Sequence, residues 1–191
     1  MASGNRGKLR EIARILVDLN FTLLPQSDFN VSDAEETGDT FVANALIKAR
    51  HAAAATGLPA IADDSGLAVD ALQGRPGVFT ARYAGADAND AENIDKLLHE
   101  LAQVEDTHRG ATFHCAACFV SPDSDDAVIA EGSWRGSIAR QRIGEGGFGY
   151  DPVFVDAELG VTSAQLNAEE KNQRSHRGKA LTELARLLGA R

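Results

Sequence analysis

Two strand-like runs, residues 111–120 and 127–140, follow one another with only the turn Pro122-Asp123-Ser124-Asp125 between them. That order constrains the fold more than any other feature. A doubly wound parallel sheet needs a helical crossover between successive strands. Helical periodicity appears elsewhere, over residues 10–19 through Ile12, Ile15, Leu16 and Leu19 and over 91–101 through Ile94, Leu97, Leu98 and Leu101. It returns near 176–188, with Ala180, Leu184, Leu187 and Leu188 on one face. Thr40 is placed to cap a helix running to Thr56, with Gly57 as its stop and Pro59 beyond. Shorter strands are expected at 21–25, at Ala60-Ile61-Ala62 ending in Asp63-Asp64-Ser65-Gly66, at 67–72 and at 152–155. Helices and strands therefore mix without strict alternation. A single domain over residues 1–191, of mixed-sheet α/β or α+β class, fits better than a doubly wound sheet.

Composition narrows the partners. The chain has 191 residues, 43% hydrophobic and 25% charged, as expected of a soluble packed protein. No apolar run approaches the roughly 20 residues that span a bilayer. The start, Met1-Ala2-Ser3-Gly4-Asn5-Arg6, has no apolar leader, so a cytoplasmic protein without a membrane partner is expected. A net charge of −9 disfavours broad binding to nucleic acid. Cys115 and Cys118 are spaced as C-x-x-C, but a zinc site wants four ligands and no second pair exists. On a strand, positions three apart point to opposite faces, so two buried thiols in a reducing cytosol are expected.

Four segments are rich in functional groups. Ser3-Gly4-Asn5-Arg6-Gly7-Lys8 opens a helix, where glycines let backbone approach a ligand and free N–H groups attract phosphate; a plain loop with an exposed lysine reads equally well. Asp63 and Asp64 end an apolar strand, which is costly unless a cation meets them. Mg²⁺ bridging to phosphates would serve, since it takes one or two protein carboxylates. An Asp-rich turn is the alternative. Alternation sends the two side chains opposite ways, so only one should face a site. Glu35 and Glu36, in an acidic loop upstream, can supply a further metal ligand.

Gly144-Glu145-Gly146-Gly147-Phe148-Gly149-Tyr150-Asp151-Pro152 contains G-x-G-x-x-G, but a strand follows it where the dinucleotide fingerprint requires a helix. The loop either presents Phe148 and Tyr150 to a flat base or is a glycine hairpin with core aromatics. Finally, the run from Glu170 to Lys179 gathers Lys171, Arg174, His176 and Arg177 at a helix start, with Ser175 as N-cap. Cations are disfavoured there, so either an anionic or polar ligand explains the cluster or it is a solvated charge run.

Taken in order, these segments resemble the inosine triphosphate pyrophosphatase family, the RdgB-like dITP/XTP pyrophosphatases. The likeness rests on Ser3-Gly4-Asn5-x-Gly7-Lys8, Glu35-Glu36-Thr37-Gly38, Phe41-x-x-Asn44-Ala45 with Lys48-Ala49, and Ala62-Asp63-Asp64-Ser65-Gly66-Leu67. It continues through Pro76-Gly77, Ala81-Arg82-Tyr83, Gly146-Gly147-Phe148-Gly149-Tyr150-Asp151-Pro152, and Glu170-Lys171 with Ser175-His176-Arg177-Gly178. The resemblance implies a two-lobed α/β fold on a long mixed central sheet with flanking helices, an active-site cleft and a homodimer. It implies hydrolysis of ITP, dITP or XTP to the monophosphate and pyrophosphate. Asp64 would activate water and, with Glu35, hold Mg²⁺, and Lys48 would join Asp64 in the catalytic set. Ser3, Gly4, Asn5, Arg6, Gly7, Lys8 and Lys48 would hold the triphosphate, and Ser65 would lie beside the reacting phosphate. Phe148, Gly149, Tyr150, Asp151, Lys171, His176 and Arg177 would hold base and sugar. The family has Thr where this chain has Ser3, which keeps the hydroxyl. It also begins with an apolar strand where only Met1-Ala2 stand here, so either a shortened first strand or a late start of the given chain is expected. A related enzyme acting on modified pyrimidine triphosphates is the main rival.

Overall fold

The computed structural model describes Met1, Leu9, Ile12, Ile15, Leu16 and residues 22–189. The Ser3–Lys8 loop, the start of the chain after Met1 and most of the helix expected over 10–19 lie outside the described residues. Four strands, β1 (Ala60–Val69), β2 (Gly110–Val120), β3 (Ala127–Ile138) and β4 (Phe154–Asp156), form one sheet in the order β1-β2-β3-β4. β4 pairs antiparallel to β3, with Gly136 opposite Asp156 and Ile138 opposite Phe154. Among the described residues, besides Leu9, Ile12 and Ile15, which are helical, the helices are α1 (Phe41–Thr56), α2 (Asp90–Glu100), α3 (Ala168–Arg174) and α4 (His176–Gly189). This is the expected α/β class, a central sheet with flanking helices. The residues cluster into two compact units. One comprises Met1–Asp64, Cys115–Gly132 and His176–Arg191, the other Ser65–His114 and Ser133–Ser175.

In the first unit, strand alternation sorts side chains into two layers. Ala60 and Ala62 of β1 and Ala116, Cys118 and Val120 of β2 pack with Ala45, Ala49, Ala52 and Ala53 of α1. Ile61 of β1, Cys115 and Ala117 of β2 and Val128 and Ala130 of β3 pack with Ala180, Leu181 and Leu184 of α4, beside Ile12 and Leu16. The two cysteines thus lie in opposite layers, both buried and both free thiols, as alternation requires. α1 has the expected ends. The Thr40 side chain accepts from the Ala43 N–H, and Gly57 closes the helix at φ 67°, a left-handed conformation that suits glycine. Gly132 lets α4 approach β3, because a Cβ there would collide with the His176 carbonyl.

The second unit has an aromatic core. Phe113, Trp134 and Phe154 meet with centroids 4.6 Å (Phe113–Phe154) and 5.0 Å (Trp134–Phe154) apart, within a cluster that includes Leu67, Val69, Ile94, Leu97 and Ile138. Trp134 Nε1 donates to Asp156 Oδ2 at 2.7 Å, which satisfies the indole where it is buried. Arg109, also buried, donates to the carbonyls of Leu101, Ile138 and Ala139.

Three expectations need correction. β1 does not end over residues 63–66 but runs unbroken to Val69, so the second strand expected at 67–72 is its continuation, with residues 70–72 in a 3-10 turn. The paired carboxylates do not end the strand because each meets a cation. Residues 22–25 are not a strand. Leu24 and Gln26 hold Met1, whose N-terminus donates to the Leu24 carbonyl while the Gln26 N–H donates to the Met1 carbonyl. Lys171 is not at the start of the last helix. It lies in the last turn of α3, whose own start carries an Asn167–Glu170 capping box, and only His176 and Arg177 open α4.

Burial pushes the Cys118 thiol up to about 12, from an ordinary value of 9.0. A raised value means the folded thiol stays protonated while the unfolded one ionises, so its contribution is complete below pH 9 and is lost as pH climbs towards 12. Stability should therefore fall by about 1.4 kcal/mol per pH unit in that window from this group. Urea unfolding of Cys118→Ala should give a visibly shallower alkaline slope than the parent; coincident slopes would remove the thiol as the cause.

Candidate active site

Because β1 is regular, Asp63 and Asp64 face opposite layers. Asp64 follows Ala60 and Ala62 towards α1, where Asn44 and Lys48 stand one turn apart and share a face. Lys48 Nζ lies 2.7 Å from Asp64 Oδ1 and 3.1 Å from Glu36 Oε1. Burial pulls the lysine's pKa down, but the charge and hydrogen bond of Asp64, with Asp63 and Glu36 behind them, outweigh it and hold the pKa above its usual value. Lys48 is therefore a fixed positive charge at neutral pH. Asn44 is fully buried. Its Nδ2 donates to Asp64 Oδ2 at 3.4 Å, and its Oδ1 accepts the Gly38 N–H at 2.8 Å.

Asp63 turns the other way. Arg177, in the first turn of α4, donates from Nε to Asp63 Oδ2 at 3.1 Å, and both residues are buried. The Cys115 thiol donates towards the same oxygen from 4.0 Å. Arg177, expected at the base, is thus committed to Asp63 through Nε. His176 beside it is buried as well.

In the second unit, Asp151 is a hub. Its buried carboxylate accepts from Lys171 Nζ at 2.6 Å, from Ser163 Oγ at 2.8 Å and from the Phe148 N–H at 2.8 Å. Lys171 Nζ also stands 4.7 Å from the centroid of the Phe148 ring, over its face. Gly147, at φ 77°, allows the loop to fold this closely, since a Cβ there would collide with Asp151 Oδ2. The structure therefore brings Phe148, Asp151 and Lys171 together as one constellation. Tyr150 is different. It is buried in the aromatic core and its hydroxyl donates to the Thr80 carbonyl at 3.0 Å, so its ring is core packing and not a face for a base. The Gly149 N–H donates to Asp90 Oδ2 at 2.7 Å.

Of the acidic pair upstream, Glu36 reaches the Lys48–Asp64 cluster, while Glu35, the expected metal ligand, is exposed. Ser65 follows Asp64 on β1 and is half-buried. Ser3, Gly4, Asn5, Arg6, Gly7 and Lys8 lie outside the described residues. Among the described residues no three His, Cys, Asp or Glu side chains gather as a metal cage. Asp64 and Glu36, already sharing one cation, match the one or two carboxylates that Mg²⁺ takes alongside phosphate and water. Sequence reasoning missed Asn44 and Ser163 as participants. Asn44 at least stood in a motif, four residues before Lys48; Ser163 had no signal at all.

This combination of fold, paired carboxylates and glycine loop defines a family. The Ham1 family model matches residues 1–187, and the chain belongs to that family, in agreement with the resemblance read from its motifs. The dITP/XTP pyrophosphatase of Pectobacterium atrosepticum is 54% identical over 182 residues, 95% of this chain and 92% of that protein. A HAM1 protein from Coxiella burnetii is similar at a TM-score of 0.91 and 49% identity, covering 100% of this chain and 97% of that one. The Staphylococcus aureus Ham1 protein is similar at a TM-score of 0.87 and 42% identity, covering 99% and 96%.

Removing one partner from a buried ion pair leaves the other charge without it, at a cost of about 3–5 kcal/mol. Asp63→Ala should lose about that much in denaturant unfolding. The double variant Asp63→Ala/Arg177→Met should recover most of it. A single variant as stable as the parent would show that the pair does not hold α4 to β1.

Proposed function

We propose that this chain hydrolyses non-standard purine nucleoside triphosphates, ITP, dITP and XTP, between the α- and β-phosphates, releasing the monophosphate and pyrophosphate. The observation that carries the reading is Asp64, held by Lys48 at 2.7 Å with Glu36 on the same ammonium, in a chain 54% identical to a dITP/XTP pyrophosphatase. Asp64 takes the proton from a water molecule, whose oxygen forms the new bond to phosphorus as the α–β bridge breaks and its electrons leave with pyrophosphate. Lys48 stays protonated and balances negative charge that builds on the phosphates. Asp64 would hold Mg²⁺ together with Glu35, as the resemblance implies, or with Glu36, which already shares the Lys48 ammonium; when bound, the ion would neutralise phosphate charge. The phosphate chain would also meet Ser3, Asn5 and Lys8.

Base recognition in this reading falls to Phe148 and Lys171. Phe148 is half-buried, and the Lys171 ammonium, which can only donate, stands over its ring and 2.6 Å from Asp151. A 6-oxo purine presents an acceptor to such a donor, whereas a 6-amino purine presents a donor. Arg177 serves less directly than expected, since its Nε is engaged with Asp63, while His176 keeps its expected part in holding base and sugar. The family likeness also supports a cytoplasmic homodimer. No described helix is long and apolar enough to cross a membrane.

Incubation with ITP, XTP, dITP, GTP, ATP and modified pyrimidine triphosphates in Mg²⁺ should give IMP and pyrophosphate from ITP in one step. Orthophosphate with accumulating IDP would overturn the reaction, and preference for a pyrimidine would overturn the substrate class. Asp64→Asn should reduce kcat by about 100-fold or more. An Asp64→Asn enzyme as active as the parent would dismiss this residue as the base.

Lys171→Met, which keeps an unbranched side chain and removes only the ammonium, should lower the ITP-to-ATP ratio of kcat/KM by about tenfold, the scale of one lost hydrogen bond to a charged donor. Equal losses on both nucleotides would make Lys171 a purely structural partner of Asp151.

A further inference from the structure

Asn44 is a neutral side chain fully buried among charged ones, and its orientation is dictated from both sides. The Gly38 N–H can only donate, so the amide oxygen must face it, at 2.8 Å. The Asp64 carboxylate then receives the NH₂ end, at 3.4 Å. The amide cannot flip without setting donor against donor and acceptor against acceptor. Asp64 is thus gripped at both oxygens, by the Lys48 ammonium on Oδ1 and the Asn44 amide on Oδ2, so that rotation of the carboxylate would break one contact or the other. Lys48 alone would not fix that rotation, because an ammonium on a flexible stem can follow a turning carboxylate.

Gly38 stands two residues after Glu36, whose carboxylate shares Lys48. Asn44 therefore ties the loop that carries Glu36 to the same carboxylate. The fit is close. A Cβ at Gly38 would meet Asn44 Oδ1 and the Ala43 Cβ each at 2.7 Å, so glycine is required by space and not by a special φ. Thr40 adds a fixed point by capping the helix turn on which Asn44 sits.

We propose that Asn44 is a positioning residue, seated on Gly38, that sets the orientation of the Asp64 carboxylate and keeps the Glu36 loop in register with it. This rests on the proposed reaction for its kinetic consequence, though not for the contact itself. Asn44 touches Asp64 and need not touch substrate, so its loss should act on turnover more than on binding.

Steady-state kinetics of Asn44→Ala and Gly38→Ala on ITP provide the test. Gly38→Ala leaves every polar group in place and displaces the amide by contact alone. Both variants should lose about ten- to hundred-fold in kcat, the effect of a reacting group displaced by about 1 Å or less. KM should change by less than about threefold, because uniform binding is untouched. Circular dichroism checks that both fold. Turnover within about threefold of the parent in both folded variants would overturn the proposal. A second measurement does not depend on the reaction. In ¹⁵N-labelled protein, the side-chain NH₂ resonances of Asn44, assigned by their loss in Asn44→Ala, should move in Asp64→Asn and in Gly38→Ala. Unmoved resonances would overturn the proposal even in an active enzyme. If the parent itself releases no IMP, the proposed function fails, while the resonances still decide whether Asn44 holds Asp64.

Discussion

Adjacent carboxylates on a regular strand cannot share a partner, and Asp63 and Asp64 each have their own. Alternation sends one towards α1 and the other towards α4, and each helix brings a cation to meet it, Lys48 on one side and Arg177 on the other. An isolated buried carboxylate would cost far more than a domain can spare, so β1 is able to run through both only because both helices are in place. The same two ion pairs connect the helical layers to the strand on which the proposed chemistry depends. They differ in setting. Asp63 and Arg177 are sealed in the interior, whereas the Lys48 cluster extends to the partly exposed Glu36.

Asp151 solves a related problem within the second unit by different means. Its carboxylate gathers an ammonium, a hydroxyl and a backbone N–H, donors from three separate stretches of chain. Hydrogen bonds to the ionised form favour burial of that form, and each donor is fixed in return. Gly147 gives the loop its close approach, and the Phe148 ring is left against the lysine head. One buried charge thereby shapes a loop that has little apolar packing of its own.

Local rules were the legible part of this chain. Thr40 and Gly57 mark the ends of α1, and period-2 alternation correctly separated Asp63 from Asp64 and Cys115 from Cys118. Long-range partners were not legible. Nothing local distinguishes Glu36 from Glu35, since the choice depends on how the loop closes over Lys48. Tyr150 and Phe148 are alike in sequence, yet the tyrosine hydroxyl finds Thr80, seventy positions away, while the phenylalanine ring meets Lys171. Lys171 looked anomalous at a helix start only because α3, a seven-residue helix, was not recognised as separate from α4. Its place near a helix C-terminus is electrostatically ordinary.

The layer between α1 and the sheet is rich in alanine, with Ala45, Ala49, Ala52 and Ala53 set against Ala60, Ala62 and Ala116 beside Cys118 and Val120. A methyl group is the smallest side chain short of glycine's hydrogen, and Asn44 and Lys48 ride on that helix. The gap to Asp64 is therefore gauged by methyl radii. An alanine enlarged to valine far from any charged group would lift the helix and stretch both contacts together. A random-mutagenesis screen scored by turnover should consequently return hits at these alanines, positions that carry no chemistry and act as shims.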